Sequence, residues 1–218
     1  MKKKSLVCLV TAVLMACAMI PSTAFAVEDV SPAPPVNISI YTANGKNIIT
    51  WPAVADAGGY MVYRKCQYEN WKQIDRTTRS RTIDNSRELI PGIVYYYKIH
   101  TYIRSGTTMQ DIESGDSAVV SVKYILPASK ITKLSKKSRT SIKVYWSRVS
   151  DATGYKIYQK TGKGKWKCVK TIKSNNTLSY TKKSLKKGKK YYYKIRAYKT
   201  YGGHTGYAAY SSSKSKKL

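Results

Sequence analysis

Trp51 has a counterpart at Trp146, and around that pair the chain repeats itself. At an offset of 95 residues Asp56 aligns with Asp151, Tyr60 with Tyr155, Tyr63 with Tyr158, Lys65 with Lys160, and Trp71-Lys72 with Trp166-Lys167. Past one inserted residue the offset is 96: Leu89 meets Leu185, Gly92 meets Gly188, and the string Tyr95–Ile99 recurs at Tyr191–Ile195. Self-similarity at fixed spacing marks a duplicated folding unit, here of ~90 residues. Each unit consists of short β-type runs broken by Gly, Pro, Asn, Asp and Ser clusters. Strands are expected near 36–41, 46–51, 59–65, 71–76, 80–84, 93–102 and 118–125, and again near 129–134, 140–146, 154–160, 165–172, 178–182, 189–198 and 207–217. No window sustains helical periodicity. Seven strands in ~90 residues is the arithmetic of a sandwich, so the chain is predicted to be all-β, with two tandem β-sandwiches.

The segment before the repeats carries processing signals. Lys2, Lys3 and Lys4 precede an apolar stretch from Leu6 to Ile20, Pro21 breaks it, and Ala24-Phe25-Ala26 has the small-x-small pattern of a cleavage site. Residues 1–26 therefore read as a signal peptide. Leu14-Met15-Ala16-Cys17 also resembles a lipoprotein box, so lipidation of Cys17 stays open beside simple cleavage. Export removes Cys8 and Cys17, leaving Cys66 and Cys168, one per unit at non-equivalent positions; free thiols or a bridge between units or chains are both compatible with that count. Residues 27–35 contain three prolines and read as an extended leader. The first unit is assigned to 36–126 and the second to 127–218, joined by Pro127-Ala128, a join that proline stiffens. Ser211 to Leu218 carry no sortase-type sorting signal with a hydrophobic tail, so any surface retention is expected to occur without covalent linkage of that kind.

Each unit resembles a fibronectin type III domain, an immunoglobulin-like sandwich, of the sort found in exported bacterial proteins. Trp51 and Trp146 match the family's core tryptophan on the second strand. Tyr60 with Val62, and Tyr155 with Ile157, match the inward pair on the third. Leu89-Ile90-Pro91-Gly92 followed by Tyr95, Tyr97 and Ile99 matches the family's leucine, Pro-Gly turn and alternating strand; Leu185, Gly188, Tyr191, Tyr193 and Ile195 repeat it, with Lys187 where the proline would stand. Thr107 to Asp116 in the first unit is longer and more acidic than its counterpart. The resemblance covers 36–218 and implies a fold; such sandwiches host many unrelated roles.

Charge separates the two copies. From Val27 to Leu126 there are 11 Lys+Arg and 10 Asp+Glu; from Pro127 to Leu218 there are 26 Lys+Arg and one acid, Asp151. Composition bias in one gene would affect both copies, so the lopsidedness points to a polyanionic partner for the second. Alternation along the strands puts Lys156, Tyr158 and Lys160 on the same outer sheet face as Tyr192, Lys194, Arg196 and Tyr198. Lys163, Lys165 and Lys167 in one hairpin and Lys186, Lys187, Lys189 and Lys190 before the sixth strand extend the polyanion-binding surface. Only Arg139, Arg148 and Arg196 of the 26 are arginine, which favours loose attraction to a repeating polyanion over bidentate reading of one group. Trp71 and Trp166 are either sugar-stacking platforms or folded over their own sheets.

Catalysis is not expected. One carboxylate excludes a paired-carboxylate hydrolase in the second unit, and His100 and His204 stand at unrelated repeat positions. No zinc spacing or phosphate-cradling loop is present, and no cofactor, metal or small-molecule substrate is expected. The expectation is a monomeric, secreted or envelope-associated binding or adhesion protein. Its basic second unit would hold an anionic cell-wall polymer, acidic glycan or anionic membrane surface. A structural spacer and an extracellular nucleic-acid binder are the alternatives.

Overall fold

The computed structural model describes residues 30–106 and 108–218, all in strands, turns and loops. The processing segment read at 1–26, with Cys8 and Cys17, lies outside these residues. The first unit contains β1 (Ser39–Ala43), β2 (Lys46–Thr50), β3 (Gly59–Cys66), β4 (Glu69–Thr77), β5 (Arg81–Asp84), β6 (Val94–Arg104), β7 (Asp111–Glu113) and β8 (Val120–Lys123). The second repeats them as β9 (Ile131–Ser138), β10 (Ser141–Trp146), β11 (Gly154–Thr161), β12 (Lys167–Ile172), β13 (Ser179–Lys182), β14 (Lys190–Tyr201), β15 (His204–Tyr207) and β16 (Lys214–Lys217). A three-stranded sheet, β1-β2-β5, faces a five-stranded one, β4-β3-β6-β7 with β8 also on β6; the second unit has β13-β10-β9 facing β12-β11-β14-β15 with β16 on β14. All pairings are antiparallel.

Alternation explains why these residues make sheets. Along β6 the buried positions are Tyr95, Tyr97, Ile99 and Thr101, and along β14 Tyr191, Tyr193, Ile195 and Ala197. They close over Trp51 against Tyr60, ring centroids 5.2 Å apart, and Trp146 against Tyr155, 5.5 Å apart. Burying each such ring contributes roughly 1.5–3 kcal/mol. The tyrosine hydroxyls at the rim are also duplicated: Val54 N–H donates to Tyr60 and Val149 N–H to Tyr155, each at 2.9 Å. Ile90 N–H donates to Tyr95 and Lys186 N–H to Tyr191, each at 2.8 Å. Leu126, read from sequence as the end of the first unit, places its side chain in the second core.

In the first unit β8 falls within the run expected at 118–125 and β7 precedes it, whereas the run expected at 207–217 is broken into the end of β15 and β16. Between the two pieces serine side chains replace part of the ladder. Thr101 N–H donates to Ser114 Oγ and Ile99 N–H to Ser117 Oγ, while Ile195 N–H donates to Ser211 Oγ. The acidic segment after Thr107, which had no evident partner in sequence, forms β7 on the end of β6.

The units meet through more than the Pro127 join. The β14–β15 hairpin leans on the end of the first unit, where Lys199 Nζ donates to the Ser86 carbonyl at 3.3 Å and the Tyr201 hydroxyl donates to Glu88 Oε1 at 3.1 Å. His204 stacks on Tyr68 with centroids 3.7 Å apart. At Gly206 a Cβ would lie 2.1 Å from the Pro91 carbonyl oxygen, so only glycine permits this approach. Burial pushes the Lys199 pKa down, against the pull of Asp151 and Asp84.

Candidate anion-binding surface

The strand registers give a residue-by-residue equivalence between the outer faces of the two five-stranded sheets. Tyr63 opposes Lys98 as Tyr158 opposes Lys194, and Met61 opposes His100 as Lys156 opposes Arg196. Tyr102 opposes Glu113 as Tyr198 opposes Tyr207. The serines that cap Ile99 and Ile195 then align Asp116 with Tyr210, each one residue before its serine.

In the first unit the face is neutralised by its own carboxylates. Asp116 Oδ1 lies 2.6 Å from both Lys98 Nζ and His100 Nε2, and Glu113 Oε2 lies 2.9 Å from His100 Nδ1. Arg76 and Asp111 meet at 2.6 Å. Hydrogen bonding from Lys98, then from His100, holds the Asp116 carboxyl below its ordinary value.

In the second unit tyrosines stand where those carboxylates are. Arg196 lies 3.9 Å from the centre of the Tyr207 ring and 4.7 Å from Tyr210, and Lys194 lies 3.8 Å from Tyr210. The ladder continues: Lys194 and Lys160 flank Trp166 at 4.8 and 5.3 Å, and Lys160 and Lys190 flank Tyr192 at 5.3 and 5.5 Å. Lys156 donates to the Tyr207 hydroxyl at 3.0 Å, and this bond is the leading reason its pKa is raised. Tyr158 meets Tyr210 edge-on at 5.2 Å. A ring face attracts and positions a cation, contributing about 0.5–1 kcal/mol at exposed sites, but it cancels no charge. Among the described residues every ion pair belongs to the first unit. The second face is therefore ordered and uncompensated.

Of the residues expected on this face, Lys156, Tyr158, Lys160, Tyr192, Lys194 and Arg196 are brought together and half-buried. Tyr198 is not available to a partner; it is only 7% exposed. Its hydroxyl lies beside Gly154, where a Cβ would be 3.0 Å from it, and donates to the Ile172 carbonyl at 3.3 Å. Lys163, Lys165 and Lys167 and, separately, Lys186, Lys187, Lys189 and Lys190 are exposed at the end of the second unit away from the join. Lys190 opens β14 while Tyr201 at its other end touches the first unit, so the strand separates them by roughly 35 Å. Trp71 and Trp166 both fold over their own sheets, beneath Lys65 and Lys98 and beneath Lys160 and Lys194. Tyr207 and Tyr210 had no place in the sequence-level site, because the offset between units falls to 94 at the shorter hairpin. Among the described residues no group of His, Cys, Asp and Glu could hold a metal, and Cys66 and Cys168 are free thiols.

Comparison with known proteins agrees with the architecture. Residues 128–213 match the sequence model of the fibronectin type III domain. A two-domain fibronectin type III segment from chicken tenascin superposes with a TM-score of 0.55 at 14% identity, covering 85% of this chain and 99% of that one. The FN1–FN3 domains of chicken CNTN1 align at 22% identity with a TM-score of 0.36, covering 86% of this chain and 67% of theirs. No curated protein matches the sequence. The second unit thus matches the fibronectin type III domain in sequence, and the duplicated tryptophan core, the facing sheets and the tenascin superposition give the chain the fold of a tandem pair of such domains.

Proposed function

We propose that this chain is an exported, envelope-associated binding protein whose second unit holds anionic polymers and whose first unit supports it. Tandem fibronectin type III domains commonly serve as binding or spacer modules, and the docked β14–β15 hairpin suits the first unit to the supporting role. The observation that carries the reading is the exchange of Glu113 and Asp116 for Tyr207 and Tyr210 at equivalent places. It converts a self-neutralised face into one whose lysines and arginine need negative charge from elsewhere. Lysine-rich attraction of this kind weakens as salt shortens the Debye length to ~8 Å at physiological ionic strength.

The test compares the mature chain with its Tyr207→Glu/Tyr210→Asp variant on isolated cell wall, acidic glycan, anionic vesicles and DNA at graded salt. Retention of the parent on wall or glycan, eluted by salt and lost in the variant, is the expected result. Equal retention of parent and variant would remove the sheet face from the reading. Stronger retention on DNA than on wall at matched salt would replace the envelope partner with nucleic acid.

A further inference from the structure

A second comparison between the units concerns the edge of the sandwich between β4 and β5, or between β12 and β13. In the first unit that edge is filled by a buried ion cluster. Arg64, fully buried, is 2.9 Å from Asp84 Oδ2 and 3.2 Å from Glu69 Oε2, and pairs closely with Glu88. Lys72 also pairs with Glu69, at 3.1 Å, and with Glu88. Tyr97 donates its hydroxyl to Asp84 Oδ2 at 2.8 Å and accepts from Asn47. Burial alone would lower the Arg64 pKa, but Asp84, Glu88 and Glu69 outweigh it and the net shift is upward.

The registers identify what replaces each of these groups. Arg64, paired with Lys72 and Tyr97, corresponds to Gln159, paired with Lys167 and Tyr193. Asp84 opposes Asn47 as Lys182 opposes Ile142. Glu69 corresponds to Gly164, five residues past Gln159 as Glu69 is past Arg64, and Glu88 corresponds to Ser184, directly before Leu185. Three carboxylates have become a glycine, a lysine and a serine. What remains is an open slot of about 510 Å³ lined by Gln159, Lys160, Lys165, Lys167, Val169 and Lys182. Two polar groups at this end are orphaned. Among the described residues neither Gln159 Oε1 nor the hydroxyl of the fully buried Tyr193 has a hydrogen-bond partner, although the Tyr97 hydroxyl has two.

We infer that this slot receives a carboxylate carried by a sugar polymer, in the place that Glu69, Asp84 and Glu88 fill in the first unit. The inference rests on the proposed anion-binding role of the second unit and names the group recognised. In the first unit every group that meets Arg64 and Lys72 as an anion is a carboxylate. Lys160 links slot and ladder: it lines the slot and also covers Trp166 and Tyr192. A chain of uronate rings can therefore present one carboxylate to Lys167 and Lys182 while neighbouring rings lie along the aromatic face.

The test measures binding of the mature chain to oligogalacturonate, oligoglutamate and polyphosphate at matched charge and salt. It then repeats the series with Gln159→Arg/Lys182→Asp, which rebuilds the first unit's internal pair. The expected result is preference for oligogalacturonate in the parent, and about tenfold weaker oligogalacturonate binding in the variant, as loss of one charge-assisted contact predicts. Polyphosphate binding through the ladder should change much less. If the rebuilt pair does not fold, judged by its thermal melt, Lys167→Ala must give the same selective loss. A parent that binds all three equally, or prefers oligoglutamate, overturns the carboxylate-sugar assignment. Unchanged oligogalacturonate binding in the slot variants overturns the slot and leaves the ladder reading standing. A parent that binds none of the three overturns both.

Discussion

The two units share a tryptophan core, sheet order and tyrosine hydrogen bonds, yet they treat charge in opposite ways. The first answers its buried cation and two cations of its outer face with acids of its own: Arg64 with Asp84, Lys98 with Asp116, His100 with Glu113. The second keeps the face cations as Lys194 and Arg196, has Gln159 in place of Arg64, and changes the acids to tyrosine, lysine, glycine or serine. Duplication thus preserved the apolar interior that specifies the fold and altered the polar groups, both on the outer face and in the buried cluster around Arg64. A core constrained by close packing tolerates few changes, whereas single surface substitutions usually cost little.

That contrast can be broken in several ways. The largest expected effect is at Arg64. Removing one member of a buried ion cluster leaves uncompensated charge, so Arg64→Ala should destabilise the first unit by about 3–5 kcal/mol. The counterpart Gln159→Ala should cost no more than about 1 kcal/mol. Urea melts of both variants check this, and equal losses would show that the cluster does not distinguish the units.

Next is Gly206→Ala. With no room beside Pro91, overpacking of about 1–3 kcal/mol should fall on the contact between the units rather than on either core. Small-angle scattering should then show a larger radius of gyration, with melting of each unit little changed. An unaltered scattering profile would mean the contact relaxes around a methyl group.

Acid should act on one unit only. Hydrogen bonding from Lys72 is the leading cause that lowers the Glu88 pKa, against burial, and Lys98 does the same for Asp116. Both carboxyls titrate lower when folded than when unfolded. They therefore contribute stability above about pH 4 that is lost as pH falls through their lowered folded values. Both are partly exposed, so screening keeps the effect modest. Site-resolved amide exchange between pH 6 and 3 should show first-unit protection falling while the second, with Asp151 as its one carboxylate side chain, holds. Parallel loss in both units would contradict the charge comparison.

The smallest effect is the reciprocal exchange. Glu113→Tyr/Asp116→Tyr should give the first unit an uncompensated ladder and raise the chain's retention on acidic glycan by severalfold at low salt. No gain would mean that a ladder without the end lysines is insufficient.

Much of this was legible in the sequence. Trp51, Trp146 and the alternating tyrosines of β6 and β14 place themselves, because a two-residue period allows one inward set. The outer positions of Lys156, Lys160, Lys194 and Arg196 follow from the same parity. What parity does not reveal is where a long ring lies. Tyr198 has the parity of the outer face but is buried, its hydroxyl turned to the Ile172 carbonyl beside Gly154. Nor does it reveal Tyr207 and Tyr210 as the counterparts of Glu113 and Asp116, since the hairpins differ in length and only the ladder on β6 and β14 restores the match. The inward position of Lys182 was hidden for the same reason: Asp84 and Glu88 are four residues apart, Lys182 and Ser184 two.

The closeness of Gly206 to Pro91 has a mechanical consequence. A pair of beads on a loose thread would let a grip at one tip swing freely about the other. Here a backbone-to-backbone abutment backs up the proline join, so a push or a sideways tilt of the lysine-rich tip is met by the hairpin as well as by the single connecting strand of chain. The pair then works as a strut that sets the distance between the lysine-rich tip and the opposite end.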